Sequence, residues 1–105
     1  VGTGDGLKRG DDGYGAGRVG RANPGVDAYL FVRLDGAACP RVAPLVRELP
    51  EVLSIESLAG ELDMLIRVRV PDMMALNTLR ERVAHLPEVR TVTTAPVLAV
   101  HLDRR

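Results

Sequence analysis

Few side chains in this sequence are spaced for chemistry, and the clearest group is Gly60-Glu61-Leu62-Asp63, set between β-branched-rich runs at residues 52–59 and 63–70. Gly60 is the sole glycine in the last 69 residues. Glycine alone takes a positive φ without steric cost, so the pattern predicts a hairpin turning at Gly60. The Asp63 carboxylate, just past the turn, can cap the hairpin or take up water. Cys39 precedes a predicted helix, where a thiol can acquire nucleophilic character, but nothing in the sequence fixes a partner base. A structural role is the simpler reading. His85 and His101 have no Cys or carboxylate around them at ligand spacing, which argues against a metal site. His85 instead suits the C-terminal end of a helix, where a protonated imidazole complements the macrodipole. Gly13, Gly15 and Gly17 alternate as in a phosphate-cradling loop, yet no apolar strand precedes them and no periodic helix follows, so plain disorder is the expectation there. No nucleophile-elbow, zinc-ligand or phosphate-loop motif is present, and no cofactor is expected.

Composition narrows the function further. A chain of 105 residues accommodates one small domain. Hydrophobic residues make up 46%, but with one Phe, two Tyr and no Trp the core must be aliphatic. So few aromatic platforms count against single-stranded nucleic-acid binding. Fourteen basic residues balance fourteen acidic ones, leaving no net positive field to drive association with a phosphate backbone. Direct nucleic-acid binding is therefore not expected of this chain. The single cysteine excludes an intrachain disulfide and fits a reducing compartment. No apolar run approaches the roughly 20 residues that span a bilayer, and no signal segment opens the chain. The expectation is a soluble, cytoplasmic protein that does not touch membranes.

Residues 1–27 hold nine of the eleven glycines and almost nothing large and apolar. Such a segment cannot bury enough surface to offset its ordering entropy, so a flexible tail is expected there, followed by a folded domain over 28–105. The folded part should open on a nearly continuous apolar run, 28–34, ended by Asp35-Gly36. Next comes a short helix after Cys39-Pro40, with Val42, Leu45, Val46 and Leu49 on one stripe; Pro44 then calls for a late start or a place in the first turn. After the hairpin, Asp72 is a natural N-cap for a second helix that turns Leu76, Leu79, Val83 and Leu86 inward. Segments 89–94 and 97–102 read as a last extended stretch, interrupted at Pro96 and hence at an edge or bent. Leu49-Pro50-Glu51-Val52 and Leu86-Pro87-Glu88-Val89 repeat one another, each closing a helix and feeding a strand. The resulting order is βαββαβ, an α+β ferredoxin-like fold with a four-stranded antiparallel sheet and both helices on one face. Met64, Ile66, Val68 and Val70 should face one side and Leu65, Arg67 and Arg69 the other. An uncovered apolar face on so small a domain predicts dimerisation through the sheet.

Taken in order, the Gly60-Glu61-Leu62-Asp63 hairpin, the strand ending Arg69-Val70-Pro71-Asp72-Met73, the Leu86-Pro87-Glu88-Val89 corner and a Thr-bearing last strand resemble the effector-sensing (RAM) domain of the Lrp/AsnC transcription regulators. The resemblance covers residues 28 to about 103. It implies dimers paired through their sheets, often assembled into tetramers or octamers, with a small amino-acid effector between dimers. It also implies that Gly60, Glu61, Leu62 and Asp63 line that pocket, the Asp63 carboxylate pairing with an α-ammonium group. The family's Val-x-x-Thr-x-Thr pattern falls on Val89, Val92 and Thr94. Val92 replaces a hydroxyl and Leu62 stands where an aromatic is common, so the pocket wall departs from the family pattern. The family's helix-turn-helix, whose recognition helix enters the major groove, has no counterpart before residue 28. The resemblance therefore implies a stand-alone sensing module, acting alone or co-assembled with full-length Lrp/AsnC regulators.

Two other readings share the strand order. A small enzyme on a dimeric α+β barrel would need an acid or base in a cavity beneath the helices, and His85 is the sole candidate. An ACT-type regulatory domain would bind amino acids without this Gly-to-Asp hairpin. The fold alone chooses neither.

Overall fold

The computed structural model describes residues 25–104; most of the Gly-rich segment read as a tail lies outside the described residues. Its elements are β1 (Val26–Leu34), α1 (Cys39–Arg47), β2 (Val52–Ser57), β3 (Met64–Val70), α2 (Met73–Ala84) and β4 (Val89–Pro96). The strands form one antiparallel sheet in the order β2-β3-β1-β4. This is the expected βαββαβ topology. β1 begins at Val26, two residues before the apolar run, because Val26 and Asp27 pair with Val70 and Arg69 of β3.

Strict alternation separates the two sheet faces. Ala28, Leu30, Val32 and Leu34 of β1 and Met64, Ile66, Val68 and Val70 of β3 are buried under the helices with Val42, Val46, Leu76, Leu79 and Val83. Tyr29, Phe31, Leu65, Arg67 and Arg69 lie on the opposite, open face, half-buried. Because 28–34 is apolar at successive positions, its own pattern does not choose which residues face outward; cross-strand pairing puts Tyr29 and Phe31 there.

Both helices end on the repeated Leu-Pro-Glu-Val corner. Val52 N–H donates to Leu49 O at 3.1 Å, and Val89 N–H donates to Leu86 O at 3.3 Å. α2 starts as expected, with Asp72 Oδ1 accepting from Ala75 N–H at 2.8 Å. α1 differs from expectation in two ways. It begins at Cys39, which puts Pro44 inside the helix and not in its first turn. Pro44 and Pro40 are both exposed, so the Pro40 carbonyl that loses its intrahelical donor is open to water, which softens the usual interior-proline cost of about 3 kcal/mol. Leu45 is 42% exposed, because α1 meets the sheet mainly through edge strand β2 and its buried stripe narrows to Val42 and Val46.

The last extended stretch is also shorter than expected. Pro96 closes β4, and residues 97–102 form no strand. One further bond, from Val97 N–H to Asp27 O at 2.9 Å, continues the ladder before partner strand β1 runs out.

Candidate functional site

The β2–β3 connection carries the residues singled out from sequence, and Asp63 holds it in place. Leu58 N–H donates to Asp63 O and Asp63 N–H donates to Val32 O, both at 2.9 Å. The Asp63 side chain reaches past the end of the ladder, where Oδ2 accepts from Leu34 N–H at 2.7 Å. Cys39 Sγ, in the first turn of α1, donates to Asp63 O at 3.3 Å. One residue thus joins the hairpin to the end of β1 and the start of α1. The thiol is accounted for as a structural donor. Oδ1 makes no hydrogen bond among the described residues, so the carboxylate keeps a free acceptor edge.

Gly60 turns the loop at φ 138°, and an added Cβ there would meet nothing within 4 Å. Backbone conformation, not crowding, is what demands glycine at this point. Gly60 and Glu61 are exposed and Leu62 and Asp63 half-buried. They form a contiguous rim at one end of the sheet.

Val92 and Thr94 are placed elsewhere. They pair with Val32 and Leu30 across the β1–β4 ladder, on the helix-covered face. Strand β1 stands between them and β3, a separation of two strand spacings, or about 10 Å. Within one chain, then, the hairpin residues come together while Val92 and Thr94 stay apart from them. His85 caps α2 in the open, with Nδ1 2.7 Å from Glu81 O. It lies outside any enclosed space of the kind a general acid or base would need. Among the described residues, no group of three or more His, Cys, Asp or Glu is arranged to hold a metal, and no helix is long and apolar enough to cross a membrane.

Sequence reasoning missed an open cleft of about 270 Å³ on the open face, where Tyr29 and Arg67 meet Val97 and residues 99–103. Alternation does place Tyr29 and Arg67 outward. What the sequence could not supply was the register that pairs them, or the departure of the chain from the sheet after Pro96.

The sequence profile described as the Lrp/AsnC ligand binding domain matches residues 27–105. DecR of Escherichia coli K12, described as a DNA-binding transcriptional activator, is 31% identical over 94 residues, covering 81% of this chain and 62% of DecR. The chain therefore spans less than two thirds of that relative. Among solved structures, Escherichia coli AsnC superposes with a TM-score of 0.70 at 22% identity, covering 76% of this chain and 55% of AsnC. TTHA0845 from Thermus thermophilus superposes with a TM-score of 0.68 at 22% identity, covering 74% of this chain and 99% of the other. Strand order and profile agree: the chain belongs to the Lrp/AsnC ligand-binding domain family.

Proposed function

We propose that this chain is an amino-acid-sensing and oligomerisation module of the Lrp/AsnC type. Domains of this family bind small effectors and oligomerise, and they regulate without catalysing a reaction. The observation that carries the finer reading is the anchored Asp63 carboxylate, with Oδ2 fixed on Leu34 N–H and Oδ1 uncommitted beside an exposed glycine turn. A carboxylate so oriented suits the α-ammonium group of an amino acid through a charge-assisted hydrogen bond. Gly60 allows close approach of the ligand to the backbone, and Glu61 and Leu62 form the adjoining wall. Since Val92 and Thr94 lie two strands away, they join this pocket only if a neighbouring copy supplies them.

Pairing uses the open sheet face, where Tyr29, Phe31 and Leu65 have no helix over them. The chain resembles part of a DNA-binding relative, and co-assembly with a full-length regulator is the route by which this domain would act on transcription.

The test is thermal shift against the twenty amino acids, with mass by light scattering in parallel. At least one amino acid stabilises the chain, saturation at about 100 times Kd adding about 2.7 kcal/mol, and Asp63→Asn removes the shift. A flat panel on a protein that still assembles refutes the sensing role. A monodisperse monomer at micromolar concentration refutes the pairing.

A further inference from the structure

Two arginines of β3 project onto the open face, and their surroundings differ. Arg69 Nη1 donates to Asp27 Oδ1 at 2.8 Å. Arg67 makes no ion pair among the described residues, and its Nε, shut off from water, makes no hydrogen bond there. The guanidinium stays charged at every physiological pH, and a partly desolvated cation without a partner is costly. Compensation within the chain is weak, since the Tyr29 ring centroid is 5.9 Å from Arg67 Cζ, near the outer limit of a cation–π contact. Arg33, also outward on β1, is exposed and keeps its hydration, so it has no comparable need.

The described strands carry two carboxylates, Asp27 of β1 and Glu56 of β2. Asp27 is taken by Arg69. Glu56 lies opposite Leu65, hence on the open face, and it is exposed, with no hydrogen bond or ion pair among the described residues. Within one chain Arg67 and Glu56 are diagonal neighbours, about 7–8 Å apart, yet Arg67 leans towards Tyr29 and leaves the carboxylate to water. The open face thus presents a desolvated cation and an uncommitted anion, both bordering Leu65, with Phe31 next to it on β1.

Such a surface can complement itself, because in a two-fold interface each contact occurs twice with the roles exchanged. A two-fold axis lying between two facing sheets, and running between Leu65 and Phe31, carries Arg67 of one copy over Glu56 of the other and Glu56 over Arg67. The strands then cross steeply, as in orthogonal sheet packing. We infer that two copies are held in one register by this reciprocal pair, the Arg67 guanidinium of each forked onto the Glu56 carboxylate of the other. The inference rests on pairing through the open face and adds which side chains choose the partner and its orientation. Apolar contacts at Leu65 and Phe31 supply affinity in any orientation, whereas like charges brought together reject the wrong one.

Sedimentation equilibrium on charge-reversed chains tests this. Glu56→Arg, at an exposed position, sets like charges together at both contacts and weakens self-association at least tenfold. Arg67→Glu does the same. An equimolar mixture of the two variants restores association to within threefold of wild type, because each contact again joins opposite charges. Arg33→Glu mixed with Glu56→Arg restores it less, since one of its two contacts still joins like charges. Should Arg67→Glu fail to fold, Arg67→Gln and Glu56→Gln take its place, and the double variant associates no more weakly than either single one; additive losses overturn the inference. Phe31→Lys weakening association while Glu56→Arg does not means that the faces pair without these charges, which overturns the inference and leaves the pairing. A wild-type chain that stays monomeric overturns both. A Glu56→Arg chain that loses stability but not association also overturns it, because the two side chains then meet within one chain. So does a mixture that stays as weak as its parts, or one that Arg33→Glu restores equally well.

Discussion

The two faces of the sheet are built from the same strands by alternate residues, yet they meet different environments. On the covered face Leu30, Val32, Met64, Ile66 and Val68 are fully buried. On the open face their immediate neighbours Tyr29, Phe31, Leu65 and Arg67 are half-buried, and an Arg69–Asp27 ion pair and an Arg67 Nε with no hydrogen bond among the described residues stand among apolar side chains. The covered face carries the stability of the single chain, and the open face is where binding energy remains to be gained. The sharpest way to break this contrast is to truncate adjacent residues of β3. Ile66→Ala leaves a hole in a close-packed core and costs about 2–5 kcal/mol, whereas Leu65→Ala costs about 1 kcal/mol or less at high dilution. Urea midpoints at several protein concentrations check both, since only Leu65→Ala should show a cost that grows with concentration as assembly is lost. Equal costs at every concentration would mean that the faces do not divide the work in this way.

A middle-sized effect tests the open face directly. Phe31 lies opposite Leu65 on that face, and its ring centroid is 6.5 Å from that of Tyr29. Phe31→Lys puts an ammonium group into the strip that would have to be desolvated on pairing. It weakens self-association at least tenfold, about 1.4 kcal/mol, with the monomer fold intact by amide NMR. Sedimentation across a concentration series reads the effect. Unchanged mass would move the pairing surface off this face.

The same contrast explains what was legible from sequence. The β3 run Met64-Leu65-Ile66-Arg67-Val68-Arg69-Val70 encodes its two faces residue by residue, and the paired Leu-Pro-Glu-Val corners encode the two halves. Topology and covered core follow from these. β1 is apolar on both faces, so its register was open until β3 and β4 selected it. Pro44 was misplaced because local rules forbid what an exposed helix face tolerates. Residues 97–102 look like strand by composition, but strand formation needs a partner, and β1 begins only at Val26. At the site, Gly60 and Asp63 were readable because turn conformation and loop closure are local demands. The distance from them to Val92 and Thr94 was not, since it depends on strand order.

The two corners permit the finest comparison, because each glutamate ties its corner to the opposite helix. Glu51 Oε2 accepts from Arg82 of α2 at 2.9 Å, and Glu88 accepts twice from Arg41 of α1, at 2.7 and 2.5 Å. Each backbone carbonyl also accepts a backbone N–H, Glu51 O from Arg69 of β3 at 3.0 Å and Glu88 O from Asp35, just past the end of β1, at 2.9 Å. They differ in that Glu88 takes a left-handed φ of 68°, a conformation L side chains adopt at some cost, and its carboxylate is forked onto the guanidinium. The hydrogen bond from Arg41 holds the Glu88 carboxyl below the usual glutamate range. Its folded pKa therefore lies under its unfolded one, so the folded chain binds fewer protons through this window. The stabilisation is fully present above the unfolded value of about 4.3 and is lost as pH falls through the folded one. Glu88→Gln flattens that acid limb of a urea-midpoint profile, the variant converging with wild type at low pH and falling below it at pH 7 by a small amount, because the pair is solvent-exposed and screened. Salt at about 1 M, where the Debye length falls to ~3 Å, shrinks the wild-type slope towards that of the variant. An acid limb identical in Glu88→Gln and wild type would show that the forked pair braces geometry without contributing stability, leaving the corners equivalent in energy despite their different backbones.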